Sequence, residues 1–378
     1  MGILPASLIL NPILSIGFLR FSDILLLICY FSSFFLNRDL KIKLSSIILF
    51  ILAILWFISS CMNYFLFSEF GLDISKNLRI LSTLLWAPAI VNLAYGKKYD
   101  LDGVFVFTSS ILALSSILIF FTVPNLHRIA GPFSYAGGDG LGTQASYNEW
   151  GALLCLAAAL CLNRLMDRLS LYYSFCLLIC LFGLVLTQSR SSLLAFVIMS
   201  VLLMFDRIVK NLRAKQFSFW STTPIFYALP VAFLYSYVSE KIKLDRISDS
   251  FMTDTNSNDS ILTRFVYWKD SYDLWAENFN TLFFGSGTLR FHALVGLTSD
   301  NYFLDLLSIF GLISLFLFII YVCLLIYNSE RGSVKFIFLT GMLSISLTGS
   351  TLADPIIGAL YYIVLIGHSE GDGNNGKN

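Results

Sequence analysis

The sequence predicts an all-α membrane protein that crosses the bilayer about twelve times. Hydrophobic residues make up 57% of the 378 residues and charged residues only 13%, whereas about a quarter of the residues in a soluble domain are charged. The apolar residues are grouped in runs, and a run of about 20 residues can cross the hydrocarbon core as a helix. These observations exclude a soluble enzyme and predict one membrane domain over residues 1–378.

The apolar runs predict twelve helices. Only Arg20 separates the first two runs, but one helix over residues 3–36 would be about 50 Å long and the hydrocarbon core is about 30 Å thick. A tight hairpin is therefore expected there. The predicted spans are residues 3–19, 21–36, 45–67, 77–95, 103–123, 148–163, 170–187, 190–206, 222–238, 301–327, 335–350 and 354–367.

The basic residues fall unequally on the two sides of the membrane that these spans define. Fourteen of the 25 Lys and Arg residues lie on the side of the two termini, and five lie in short connections on the other side. Because cytoplasmic connections are enriched in basic residues, both termini are expected in the cytoplasm and the long loop 239–299 outside it. The polar tail 368–378 is expected to be a disordered cytoplasmic segment.

The sequence predicts no metal, cofactor or nucleic acid. All seven cysteines lie in apolar runs without Cys-x-x-Cys spacing, so they are expected to pack as small hydrophobic residues. The acids predicted to face outward, Asp300, Asp305 and Asp354, lie on different helix faces or connections, so they form no carboxylate pair for a divalent cation. The net charge is +1 and the basic residues are dispersed, which excludes a nucleic-acid partner.

The segment LTQSRSSLLAFV predicts an anion site at the outer end of the eighth span. Ser189 is a predicted N-cap and Arg190 lies in the first turn, so free backbone N–H groups, the helix dipole and a guanidinium would come together. Capping by the serine and snorkelling of the arginine explain the same residues without a function.

The long loop is expected to carry an amphipathic helix that begins at Asp259 or Ser260 and lies in the membrane interface. Arg264, four residues before the first tryptophan of its apolar stripe, would reach headgroup depth, where two arginines can hold a diphosphate. The alternative is that Arg264 is a solvated edge of that helix. The stripe consists of Ile261, Phe265, Trp268, Tyr272 and Trp275, at spacings of four, three, four and three.

Two further segments point to an outer-facing site. Gly285 and Gly287 permit a turn late in the loop, and Asp300 with Asn301 begins the tenth span. Asp300 is either a simple N-cap or a functional acid, and the two roles are compatible. The connection HRIAGPFSYAGGDGLGTQASYNEW is rich in Gly, Ser and aromatic residues, a composition that suits hydrogen bonding and stacking on sugars but also fits a plain flexible loop.

Together these segments resemble the O-antigen polymerases, O-antigen ligases and related bacterial membrane polysaccharide polymerases. The ligases in that family carry His, then Asn or a similar residue, nine arbitrary residues, Gly, two more residues, and Gly, Thr or Tyr. Asp300, Asn301 and Gly311 fall in register with this motif. Asp300 replaces the His and Ser314 replaces the last position, and both differences favour a polymerase over a ligase.

The resemblance implies a GT-C type fold on the outer face of the bacterial inner membrane. It implies an undecaprenyl-diphosphate-linked glycan donor, a second lipid-linked repeat unit as acceptor, surrounding membrane lipids, and a chain-length regulator as a further candidate partner. The segments QSRSSLLA, RFVYWKDSYDLW and RIAGPF are also similar to family features. The implied diphosphate-binding residues are Arg190, Arg264, Arg128 and Arg290, and the implied glycan contacts are Asn301, Trp268 and Tyr302.

The predicted chemistry needs charge stabilisation more than acid catalysis. A diphosphate leaves without a proton, so the enzyme must neutralise the leaving group and orient or deprotonate the attacking sugar hydroxyl. Asp300 is the first candidate base and His292 the second. The alternative from another class is a transporter or flippase, but the spans lack the mid-membrane charges, inverted repeats and matched Gly or Pro breaks expected of one.

Overall fold

The protein is seen in a computed structural model that describes residues 15–16, 19–20, 28, 44–66, 101–122, 129, 147–213, 258–296, 299, 301–327 and 334–348. These residues form a helical bundle with one short β-ladder. The elements are β1 (Ser15–Ile16), β2 (Leu19–Arg20), α1 (Leu44–Leu66), α2 (Leu101–Thr122), α3 (Tyr147–Asp167), α4 (Leu171–Thr187), α5 (Arg190–Arg213), α6 (Asn258–Ala276), α7 (Phe279–Phe284), α8 (Thr288–Leu294), α9 (Tyr302–Tyr327) and α10 (Val334–Thr348).

Seven of the predicted spans fall in the described residues and all seven are helices, with ends within a few residues of the prediction, except that α5 continues to Arg213. The prediction of helix to residue 19 was wrong. Ser15 pairs with Arg20 and Ile16 with Leu19 in an antiparallel ladder, which can reverse the chain within two residues. The rest of the first span, and the spans at 21–36, 77–95, 222–238 and 354–367, lie outside the described residues.

Four described helices are long and apolar enough to cross a bilayer, which identifies a multi-pass membrane protein. Shorter apolar stretches lie in α1, α4 and α10. The four candidate spans are Gly103–Thr122, Trp150–Asp167, Arg190–Leu212 and Tyr302–Tyr327.

Helix α3 lies at the centre of one half of the bundle and packs against α2, α4, α5 and α10. Its alanines at 157–159 are fully buried, and small residues let helices approach closely in a membrane. Asn148 contacts Ser189 near the starts of α3 and α5, and Arg207 pairs with Asp167 near their ends. The two helices are therefore parallel, as the alternation of spans predicts.

The other half of the bundle forms around α9, on which α6, α7, α8 and α1 pack. The region expected to be a loop with one amphipathic helix contains three helices. Helix α9 itself is interrupted at Gly311, which has φ +81° and ψ 178°. The residues between α7 and α8 dock into this interruption, and the same unit leads into the start of α9.

Candidate functional site

The start of α5 is held by a network of hydroxyl groups. The hydroxyl of Ser189, 1% exposed, donates to Asn148 Oδ1 at 3.1 Å and lies 2.9 Å from Ser192 Oγ. Ser189 has the predicted N-cap position, because its carbonyl accepts the N–H of Leu193 at 3.0 Å. Arg190 follows with its side chain exposed, so an outward-pointing guanidinium is attached to a rigid junction between α3 and α5.

Arg128 lies outside the described residues. The next residue, Ile129, is buried and donates its backbone N–H to Leu186 O at 3.2 Å. Leu186 belongs to the last turn of α4, three residues before Ser189. The chain after Arg128 is thus fixed to the same end of the bundle as Arg190.

The predicted amphipathic helix is present as α6, but the apolar stripe is not the face that packs on the bundle. Phe265 and Tyr272 are 56% and 53% exposed, whereas Ser271 and Leu274 are buried. Residues four and seven positions apart share a helix face, which places the half-buried Arg264 beside Ser271. Arg264 therefore lies next to the face of α6 that packs on the bundle, and not on a solvated edge of the helix.

Trp268 shares that flank of α6 with Arg264. Its ring lies edge-on to Phe265 with centroids 5.4 Å apart. The indole N–H is buried and has no hydrogen-bond partner in the described part of the chain. The exposed part of this half-buried ring, and not its buried N–H, is a suitable stacking surface for a sugar.

Arg290 has a different environment from Arg190 and Arg264. The residue is only 9% exposed, and its Nη2 lies 2.6 Å from Glu277 Oε2. Glu277 follows the last residue of α6, so the ion pair joins α6 to α8. The carboxylate of Glu277 compensates the charge of Arg290, for which the family resemblance implied a diphosphate partner. Sequence reasoning missed Glu277 because α7 separates it from Arg290.

His292 lies in the last turn of α8 and is half-buried. Its Nδ1 is 3.0 Å from the carbonyl oxygen of Gly296. A carbonyl only accepts, so Nδ1 carries a proton and Nε2 is the acceptor of the neutral ring. This is the tautomer that a base acting through Nε2 requires.

The start of α9 resolves which residue caps it. Asn301 Oδ1 accepts the backbone N–H groups of Phe303 at 3.0 Å and Leu304 at 3.2 Å, the geometry of an N-cap. Capping therefore belongs to Asn301 and gives no account of Asp300, which lies outside the described residues. Tyr302 is 2% exposed and its ring packs edge-on against Phe318, an environment of core packing.

A buried carboxylate fixes the chain just before position 300. Asp305 is 4% exposed, and its Oδ1 accepts the backbone N–H of Ser299 at 2.9 Å. The hydroxyl of Ser299 in turn donates to Asn301 O at 3.0 Å. The helix dipole favours an acid in the first turn of a helix, and Asp305 is the acid in the first turn of α9. This position is the sequence signal for a stabilising role of Asp305.

Cysteine and acid side chains give no metal cluster in the described ranges. All six cysteines there are free thiols, and four of them are buried as predicted for small hydrophobic residues, whereas Cys323 is exposed. Those ranges also contain no group of three or more His, Cys, Asp or Glu side chains that could hold a metal ion. Metal independence of the reaction stays a prediction.

Comparison with known proteins identifies the segment that holds most of these residues. Residues 175–319 match the family model described as O-Antigen ligase. No sequence among the curated proteins matches the chain. The matched segment contains Arg190, Arg264, Arg290, His292 and Asp300. The resemblance stated from the sequence is confirmed over residues 175–319, which match the O-antigen ligase family.

Proposed function

We propose that this protein polymerises undecaprenyl-diphosphate-linked oligosaccharide repeat units on the outer face of the bacterial inner membrane. The observation that carries the proposal is the family match over residues 175–319, with Asp300 at the position where the ligase motif has His. Ser314 is 2% exposed within α9, so its difference from the motif concerns packing. The distinction between polymerase and ligase therefore depends on Asp300.

The proposed step is a glycosyl transfer with a diphosphate leaving group. An acceptor sugar hydroxyl attacks the anomeric carbon of the donor glycan, the bond from that carbon to the phosphate oxygen breaks, and the diphosphate leaves on its lipid. Arg190 and Arg264 stabilise the negative charge that develops on the diphosphate. Each presents a planar fork of donors that can hold two phosphate oxygens.

The hydroxyl proton passes to a base near the start of α9. Asp300 is the first candidate, and Ser299 and Asn301 hold the chain on either side of it through their contacts with Asp305 and the α9 backbone. His292 is the second candidate, because its Nδ1–H···O=C hydrogen bond leaves Nε2 to accept a proton.

The remaining predicted residues divide by environment. The exposed part of the Trp268 ring supports a sugar contact by stacking, and Asn301, half-buried at the outer rim by the predicted topology, remains a proposed contact. The buried ring of Tyr302 supports a packing role. The ion pair of Arg290 supports a positioning role for α8, and Arg128 remains a proposed diphosphate contact.

The proposal includes the architecture that the resemblance implies. The protein is then a twelve-helix, GT-C type enzyme with both termini in the cytoplasm and residues 239–299 on the outer side. The polymer length would be set with the help of a separate chain-length regulator. A cysteine introduced near position 256 should react with an impermeant maleimide from the outer side, and reaction only from the cytoplasmic side would contradict this orientation.

The function is tested with purified protein in liposomes that contain one defined lipid-linked repeat unit. The proposal predicts a ladder of longer glycans on the lipid carrier, with and without EDTA, because arginines take the role of a cation. Activity that EDTA abolishes and magnesium restores would contradict the metal-free mechanism. An unchanged donor under all conditions would contradict polymerisation.

The second candidate function is O-antigen ligation, which transfers the same donor to a lipid A core. The description of the matching family favours it. Adding lipid A core oligosaccharide to the same liposomes distinguishes the two. Consumption of donor only when that acceptor is present would establish the ligase.

A further inference from the structure

The connection between α7 and α8 lies deeper in the bundle than the start of α9 and the end of α1, which are the outer ends of these helices in the predicted topology. Ser286 contacts Ser308, six residues after the first residue of α9, which is about 9 Å below that end at 1.5 Å per residue. The hydroxyl of Ser59 donates to Phe284 O, and Ser59 lies seven residues, about 10 Å, before the end of α1. Two independent helices thus give the same depth.

The backbone at this depth is bonded to protein. The N–H of Gly285 donates to Thr281 O at 2.8 Å, that of Ser286 to Ser308 O at 2.7 Å, and that of Gly287 to Ile309 O at 3.0 Å. Non-helical backbone is tolerated at membrane depth only where protein or a water-filled cavity satisfies it. The three consecutive N–H groups meet that requirement, and all three residues are buried.

The break in α9 is complementary to this connection. In a regular helix the carbonyls of Ser308 and Ile309 would accept the N–H groups four residues later. Gly311 interrupts that pattern, and these two carbonyls accept from the connection instead. A Cβ on Gly311 would lie 2.2 Å from Phe283 O, and one on Gly285 would lie 2.2 Å from Ile309 O. Each glycine therefore allows the backbone of the other segment to approach.

Helices α6 and α7 expose apolar side chains next to the face that packs on α9. Phe279, at the start of α7, is 73% exposed, and Phe265 and Tyr272 of α6 are 56% and 53% exposed. The hydroxyl of Ser308 donates to Ser271 O at 2.9 Å, so the neighbouring Tyr272 lies near the depth of Ser308.

Polar residues occupy a different face of α6. Lys269 and Asp273 are exposed and four residues apart, so they share one face. Tyr272 is displaced from that face towards the buried Ser271, and Phe265, four residues before Lys269, lies at its edge. A helix with its polar face outward, its apolar flank free and its third side on the bundle has the pattern of an element lying in a membrane interface.

We propose that α6, α7 and α8 form a re-entrant unit that is inserted in the outer leaflet, with Phe265, Tyr272 and Phe279 against lipid acyl chains. The long loop is then not a wholly aqueous domain. The segment from α6 to α8 is held to α9 at the interruption around Gly311, and one side of the segment contacts lipid. The bilayer is the proposed occupant because backbone contacts to two spanning helices set the depth of this unit.

The test is photo-crosslinking of full-length protein in nanodiscs of phosphatidylethanolamine and phosphatidylglycerol. Benzoylphenylalanine replaces Phe279, Phe265 or Tyr272, and Asp273 on the polar face of α6 is the matched control. The proposal predicts lipid adducts, identified by mass spectrometry, several-fold more abundant at the three aromatic positions than at Asp273.

Three outcomes would overturn the proposal. Equal lipid adducts at all four positions would show that the apolar flank does not face lipid selectively. Cross-links from Phe279 to a second copy of the chain would show a protein interface instead. Absence of lipid adducts at Phe279, Phe265 and Tyr272, in variants that elute as the folded parent does, would place the unit in water.

Discussion

The two halves of the bundle hold their helices together in different ways. Around α3 the helices are regular and meet through small side chains, with Gly183 against Leu154 as an example. Around α9 the backbone itself makes the contact, at Gly285 and Gly311. Side-chain packing can relax when one side chain changes, whereas two backbones in contact cannot. The first half should therefore respond gradually to substitution and the second half abruptly.

The difference matters for function because the proposed site draws on both halves. Arg190 belongs to the regular half, at the hydroxyl-bonded junction of α3 and α5. His292 belongs to the interrupted half, on the helix that follows the docked connection. Positioning of the base and of Arg264 should thus depend on the glycine contact, and positioning of Arg190 on ordinary packing.

The largest effect is expected for Gly311→Ala and Gly285→Ala. Both glycines have positive φ, which costs an alanine about 1–2 kcal/mol, and the added Cβ would meet a backbone oxygen at 2.2 Å. Each variant should lose about 3 kcal/mol of stability and nearly all polymerisation, measured by thermal unfolding in detergent and by ladder formation.

Gly341→Ala is the matched control. Its Cβ would meet Met199 Sδ at 2.4 Å, but a methionine side chain can move aside. It should keep most of its stability and activity. If it is as damaged as Gly311→Ala, backbone contact is not what distinguishes the two halves.

The second effect is expected for Arg190→Lys and Arg264→Lys. Lysine keeps the charge but loses the fork that holds two phosphate oxygens, so initial rates should fall about tenfold or more, equivalent to about 1.4 kcal/mol. Thermal stability should stay at the parent value. Arg207→Lys, in the ion pair with Asp167, should leave the rate unchanged.

Snorkelling makes the opposite forecast for these arginines, because lysine snorkels as well as arginine. Parent-like rates and chain lengths from both variants, at matched protein levels, would remove Arg190 and Arg264 from the diphosphate site.

A third, smaller effect is expected at the ion pair of Arg290 and Glu277. The Glu277 side chain is 46% exposed, so solvent screens the pair and its coupling energy should be about 1 kcal/mol. A double-mutant cycle with Glu277→Gln and Arg290→Gln measures this coupling in thermal unfolding. Additive single effects would show that the pair does not link α6 to α8.

The smallest effect is expected for Ser189→Ala in the regular half. The variant loses the hydroxyl contacts to Asn148 and Ser192, and should lose about 1 kcal/mol of stability. Ser115→Ala, which removes an exposed hydroxyl bonded to Ile111 O, should be neutral. Abrupt loss of folding in Ser189→Ala would break the contrast between the two halves.

The sequence predicted what hydropathy and local spacing determine. All seven spans that can be compared are helices, and the start of α5 at Arg190 was predicted to the residue. The end of α5 was set seven residues short, because Arg207 and Lys210 stop an apolar run without stopping the helix. The cap considered for α9 was Asp300, whereas Asn301 makes the capping bonds, and either residue type caps well.

The contacts that position the site could not be predicted, because they join residues far apart in sequence. Gly285 and Gly311 each looked like a turn or motif residue, and nothing local shows that their backbones meet. The ion pair between Glu277 and Arg290 could likewise not be predicted from local spacing. Local patterns also cannot tell which flank of α6 packs inward, and that choice depended on α9.

The central claim is that lipid-linked repeat units serve as both donor and acceptor. The most direct measurement offers the purified protein equal amounts of a lipid-linked repeat unit and a lipid A core oligosaccharide in one liposome preparation, and analyses the products by mass. The account predicts a ladder that grows by one repeat unit per step and stays on the polyprenyl carrier, with the core unmodified. Transfer of glycan to the core, with no product longer than one repeat on the polyprenyl carrier, would contradict it.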